Sequence, residues 1–185
     1  MSKTVAIAGL GAIGLPVARA LDAGIPGLSL IAVAARDRVG ASDRIANFKS
    51  PPAIIPLGAL AQADIIVEAA SAGALLSRLH LIRRAGEAGA RIIVPTGALL
   101  GLDAVRAAME GEVHAVTIET RKPPAGLDGV PYLVEHQVSL AGLTEARKVF
   151  DGNAYDAARG FPANVNVAAA LALAGVGPER TRVEI

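Results

Sequence analysis

Cysteine is absent from the 185 residues, which excludes a disulfide framework, thiolate nucleophiles and cysteine metal sites. What remains for chemistry is His, Lys, Arg, Asp, Glu and a bound cofactor, and no metal site is expected. An excess of one charge is lacking too. Eighteen Lys and Arg against 17 Asp and Glu leave a formal charge of +1, which argues against nucleic acid recognised by bulk charge. No stretch spans a membrane without charge or proline, and the apolar run before Gly9 is too short for a signal-peptide core. The expectation is a soluble cytoplasmic protein with no membrane partner. Aromatics make up only 3% of a chain dominated by Ala, Val, Ile and Leu. That mix suits a buried parallel sheet covered by closely packed helices.

What is there begins with Val5-Ala6-Ile7-Ala8 running into Gly9-Leu10-Gly11-Ala12-Ile13-Gly14. A short apolar strand feeding G-x-G-x-x-G and then a helical pattern is how a dinucleotide-binding unit starts. Gly9 permits the tight turn, and Gly11 leaves room for a pyrophosphate at the helix N-terminus, where free N–H groups and the helix dipole favour an anion. Gly14 lets the helix pack close to the strand. Val17, Ala18 and Leu21 continue the helical spacing of Ile13, Pro16 falls in the first turn, and Gly24 with Pro26 ends the helix.

Leu28 to Ala35 reads as the second strand. An acid that hydrogen-bonds the adenosine 2′-hydroxyl should stand about 20 residues past the glycines. The count lands on Ala34 to Asp37, where Asp37 suits the ribose of NAD and Arg36 the 2′-phosphate of NADP. Either cofactor is expected to bind. A short helix over Ala41 to Lys49, a weak strand at Ala53 to Leu57 and a stronger one at Asp64 to Ser71 follow. The small residues Ala70 and Ser71 at that strand's end leave room for a ligand across the sheet edge, and Glu68 is either a site residue or a solvated strand end. Gly73 to Gly89 reads as a helix carrying His80, Arg91 to Pro95 as a strand, and Gly101 to Glu110 as another helix. The alternation predicts a Rossmann-type doubly wound parallel sheet over 1–110.

Beyond Gly111 the texture changes. Glu112 to Thr120 alternates with period two, as a strand covered on one face does, and places His114 on the sheet face with Val116 and Ile118. Arg121-Lys122-Pro123-Pro124 puts two cations on a stiff turn, suited to the carboxylates of a small acid or to a solvated loop. Lys148 to Phe150 reads as a short strand, Asn153 as the cap of the next helix, and Asn164 and Asn166 as amides before a small-residue helix over Ala168 to Ala174. Thr181 to Ile185 starts a new strand. Residues 111–185 are therefore expected to form a smaller α/β domain.

Taken together, these stretches resemble the L-aspartate dehydrogenases. The resemblance rests on Gly9 to Gly14, Val67-Glu68-Ala69-Ala70-Ser71, Thr96-Gly97-Ala98 with Gly101 to Ala104, Thr120 to Pro124, and Phe150 to Ala154 through Phe161 to Ala168. It implies NAD(P)-dependent oxidation of L-aspartate to iminoaspartate, which yields oxaloacetate and ammonia or feeds quinolinate and NAD synthesis. It also implies that 1–110 binds NAD(P), with Ala98 and Asn164 matching the family's NAD-contacting alanine and asparagine, and that 111–185 serves substrate binding and homodimerisation. Two departures stand out. About one helix and one strand, roughly 25 residues, are expected to be missing where Ser71-Ala72-Gly73-Ala74-Leu75 joins two family segments. The family's catalytic histidine would follow Ile185, so the second domain is expected to be incomplete at its C-terminal end, and His80, His114 and His136 do not match that motif. An NAD(P)-binding module without dehydrogenase activity, or a dehydrogenase of another small amino acid or a semialdehyde, are the rival readings.

Overall fold

A computed structural model describes residues 2–70, 79–162 and 165–185, without the side chains of residues 79 and 80. The chain divides into two compact units, Met1–Pro95 and Thr96–Ile185.

In the first unit, β1 (Lys3–Ala8), β2 (Leu28–Ala34), β3 (Ala53–Ile54), β4 (Ile65–Glu68) and β5 (Arg91–Ile93) form one parallel sheet in the order β3-β2-β1-β4-β5. Alternation along β1 supplies both layers. Val5 and Ile7 pack on one face with Ala18 and Leu21 of α1 (Gly14–Gly24) and Ala41 and Ile45 of α2 (Arg38–Ile45). Ala6 and Ala8 point the other way, against Leu60 and Ala63 at the 3₁₀ turn Leu57–Gln62 and Ala85 of α3 (Leu79–Glu87). Alanine on that second face lets the covering elements come close, and the central strand β1 is buried on both sides as in a doubly wound fold. The expected strand over Ala53 to Leu57 contracts to two residues, and the helix after β2 starts three residues earlier than its apolar pattern, because Asp37 caps it.

The second unit holds β6 (Val116–Glu119), β7 (Asp151–Asn153) and β8 (Thr181–Glu184), with β8 central, parallel to β6 and antiparallel to β7. Among its described residues the α-helices are α4 (Leu102–Ala108), α5 (Pro131–Glu135), α6 (Ala154–Gly160) and α7 (Asn166–Ala174). One side of β8, at Thr181 and Val183, is fully buried, and α6 and α7 pack against the strand. An aromatic cluster joins this layer: Tyr132 lies 5.1 Å from Phe150 and 5.3 Å from Phe161, centroid to centroid. Gly160 permits it, since a Cβ there would stand 2.7 Å from Tyr132 Cβ. On the other side of β8, Arg182 and Glu184 meet Lys148 and Asp151 in a ring of ion pairs 2.6 to 3.3 Å long.

Three details differ from the sequence expectations. The division falls after Pro95 rather than at residue 110, because α4 packs on α7 and Val105 reaches Gly175. The second unit is accordingly nearly as long as the first. The strand expected over Glu112 to Thr120 is only Val116–Glu119, which leaves His114 ahead of it, exposed and 3.7 Å from Glu112. The segment at Lys148 to Phe150 is not the strand itself; β7 begins at Asp151 after Val149 and Phe150 bond to the backbone of Ile185.

Candidate dinucleotide site

The sheet order reverses at β1, with β2 on one side and β4 on the other, and the crevice beyond such a strand end is where α/β sheets hold nucleotides. The turn that fills this place is tied to both neighbours. Gly9 N–H donates to the Ala34 carbonyl at 2.7 Å, and Ala69 N–H donates to the Ala8 carbonyl at 2.8 Å. Gly9 has φ +94°, and a Cβ there would lie 2.6 Å from Ala70 Cα and 2.7 Å from the Ala69 carbonyl oxygen. No other residue fits both the dihedral and the gap. A Cβ on Gly14 would overlap the Gly9 carbonyl, so this glycine sets how closely α1 approaches the turn.

Gly11 is different. It is exposed, its φ is not in the left-handed region, and a Cβ there would meet nothing within 4 Å. The protein leaves open space above it. Ala12 and Ile13 are exposed beside it, Ile13 by 53%. Helix α1 begins with no side-chain cap and no acidic residue in its first turn, which leaves its end positive. A pyrophosphate lying over Gly11 suits that exposed backbone in sterics and in sign.

Two further side chains support the turn and its neighbour. Arg44 of α2 donates from Nη1 to the Leu10 carbonyl at 3.1 Å. Glu68, read as a site residue or a solvated strand end, is 8% exposed, and its Oε1 accepts from Ala70 N–H at 2.9 Å. That bond shapes the backbone that Gly9 touches. The signal for Glu68 was its place at a strand end before small residues; Arg44 carried none, being one of many basic residues on helix surfaces.

The other candidates distribute as follows. Arg36 is exposed just past β2, and Asp37 accepts from Gly40 N–H at 2.9 Å as the N-cap of α2. Ala70 is exposed beside Gly9, whereas Ser71 and Asn164 lie outside the described residues. Ala98 is exposed on a turn of the second unit, next to Gly97, whose φ is +63°. Also in that unit, Arg121 donates from Nε to Glu119 at 3.0 Å and Lys122 is exposed. His136 stacks on Tyr132 at 4.0 Å, with Nδ1 2.9 Å from the Tyr132 carbonyl. Among the described residues, no group of His, Asp and Glu could hold a metal ion, and no helix is long and apolar enough to cross a membrane.

Comparison with known proteins agrees with this geometry. Residues 103–185 match the family described as aspartate dehydrogenase, C-terminal. An L-aspartate dehydrogenase of Bradyrhizobium diazoefficiens is 47% identical over 204 positions, covering 98% of this chain and 72% of that protein. L-aspartate dehydrogenase 3 of Bordetella bronchiseptica is 45% identical, with 98% and 75% covered. The aspartate dehydrogenase structure from Thermotoga maritima superposes with a TM-score of 0.59 at 24% identity, over all of this chain and 78% of that one, and supports the fold. Since 98% of 185 residues is about 181, about 23 of the 204 positions aligned with the Bradyrhizobium protein have no residue here. With relatives this similar over nearly its whole length, and with the glycine turn built as described, the chain belongs to the L-aspartate dehydrogenase family.

Proposed function

We propose that this protein oxidises L-aspartate to iminoaspartate with NAD or NADP, the imine then hydrolysing to oxaloacetate and ammonia. The observation that carries the reading is the Gly9 to Gly14 turn at the end of β1, with open space over Gly11 and an uncapped helix behind it. A bound nicotinamide supplies the acceptor for the hydride on the substrate Cα. The protein's own part is to hold and orient. Gly9, Gly11 and Gly14 with the backbone of Ala12 and Ile13 cradle the pyrophosphate, and Ala70 stands beside Gly9. Arg121 and Lys122 are the donors proposed for the substrate carboxylates. A guanidinium suits a planar carboxylate, and the exposed Glu119 now paired with it is an exchangeable partner. The protein is proposed to work as a cytoplasmic homodimer, with no histidine among His80, His114 and His136 assigned as acid or base.

The test is reduced-cofactor formation on mixing the purified protein with L-aspartate and NAD or NADP, beside calorimetric cofactor binding. Aspartate-dependent turnover is the expected outcome. Tight binding without turnover on aspartate, other amino acids or semialdehydes would replace the enzyme reading by a nucleotide-binding module. Turnover on another substrate would keep the dehydrogenase and change its specificity.

A further inference from the structure

The residues that follow β2 differ in what they can offer a dinucleotide. The Ala34 carbonyl accepts the Gly9 N–H, so this strand end is bonded directly to the glycine turn. An adenosine ribose with a free 2′-hydroxyl wants an acceptor there, and a 2′-phosphate wants a donor. The first residue past the strand is Ala35, half-buried and without a polar side chain. The carboxylate nearest in sequence, Asp37, is already engaged: it caps α2, and a Cβ on Gly40 would overlap it, so carboxylate and helix turn are packed together. Arg38 is engaged as well, donating to the Ile54 carbonyl at 3.1 Å, and Arg44 holds the Leu10 carbonyl. Arg36 is exposed and makes no hydrogen bond or ion pair with another described residue. Of three arginines and one aspartate with a bearing on this edge, the group left for a ligand is the Arg36 guanidinium.

We infer that the first unit selects the 2′-phosphorylated dinucleotide, NADP over NAD, and that Arg36 is the residue that makes the selection. The inference rests on the dinucleotide site proposed above and deepens it. A guanidinium offers a planar fork of donors matched to phosphate oxygens, and the exposed side chain can swing onto the ligand without giving up a partner. Aspartate oxidation itself does not use the 2′-phosphate, so the selection is a matter of binding and is read by binding.

The experiment is calorimetric titration of the full chain with NADP⁺, NAD⁺ and 2′,5′-ADP, repeated on Arg36→Ala and Ala35→Asp. The wild-type protein should bind NADP⁺ more tightly than NAD⁺ by roughly tenfold to a hundredfold, the range one to two charge-assisted hydrogen bonds provide. Arg36→Ala should remove most of that advantage, weakening NADP⁺ and 2′,5′-ADP while changing NAD⁺ far less. Ala35→Asp supplies an acceptor and repels a phosphate, so it should turn the preference towards NAD⁺. Circular dichroism checks that both variants, the one at half-buried Ala35 included, remain folded. Equal affinities in the wild type, a preference for NAD⁺, or an equal loss on both cofactors in Arg36→Ala would overturn the assignment while leaving the dinucleotide site intact. Binding of neither cofactor by the wild type would overturn both.

Discussion

The two sheets solve the same burial problem in opposite ways. The first is parallel and covered on both faces, with Val5 and Ile7 on one side and Ala6 and Ala8 on the other all 3% exposed or less. The second has β8 buried at Thr181 and Val183, while Arg182 and Glu184 carry an ion-pair ring on the opposite side. A sheet closed on both faces leaves its strand ends as the accessible place, and there the chain carries three glycines and small residues. A sheet closed on one face depends on a single apolar layer. Stability in the second unit should therefore concentrate in few side chains, while in the first the sensitive positions are backbone ones.

The sharpest break of that contrast is Phe161→Ala. Phe161 is fully buried against Phe150 and Tyr132 in the apolar layer of the second unit, and its truncation should cost about 3–5 kcal/mol. Hydrogen exchange followed by mass spectrometry should show faster exchange in residues 96–185. If the layer refills and protection is unchanged, the single-layer account fails. Gly9→Ala should come next, at about 2–3 kcal/mol, because a side chain at φ +94° is strained and its Cβ meets the Ala70 backbone. Its exchange signature should fall on β1, β2 and β4, together with loss of NAD(P)⁺ binding in calorimetry. Retained affinity would remove Gly9 from the site.

How much of this could be read from the chain follows the same division. The β1, α1 and β2 sequence declares itself because strand, turn and helix are adjacent and each glycine answers a local steric demand. The cap at Asn153 is also local, its Oδ1 accepting from Asp156 N–H at 2.8 Å. Asp37 illustrates a half-reading. Its distance from the glycines suggests a ribose acceptor, yet an aspartate directly ahead of a helix is an N-cap signal, and the hydrogen bond to Gly40 follows that rule. The second sheet was less legible because its pairing is not local. Val116 registers with Thr181 and Asp151 with Glu184, and strands of three or four residues carry too little alternation to announce a partner. The Arg44 bond to the Leu10 carbonyl depends on tertiary placement, which spacing does not encode, whereas the Glu68 bond to Ala70 N–H spans only two residues.

The smallest expected effect concerns the ion-pair ring, and its value lies in having two limbs. The Arg182 guanidinium, and then Lys148, hold the Asp151 carboxyl below its ordinary range. A carboxyl depressed in the folded state contributes stability that is present above its unfolded pKa and lost as pH falls through the folded one, so this limb acts below about pH 4. Lys148 is raised, chiefly by its bond to Glu184, and then by Asp151. Its contribution is complete below the unfolded lysine value and disappears as pH rises through the folded one, above about pH 10. In the first unit, Asp64 is depressed by hydrogen bonds from the Thr4 hydroxyl and N–H, which adds an acid limb there. Acid should thus weaken both units, while the alkaline limb carried by Lys148 belongs to the second. All these groups are well solvated, so the changes in melting temperature should be modest and shrink further in high salt. Hydrogen exchange, corrected for its intrinsic pH dependence, checks the assignment: Asp151→Asn should flatten the acid response of residues 96–185 and leave that of residues 2–70 in place. An equal change in both units would show that the ring does not act on the second unit alone, and the contrast between the two sheets would then lose its electrostatic half.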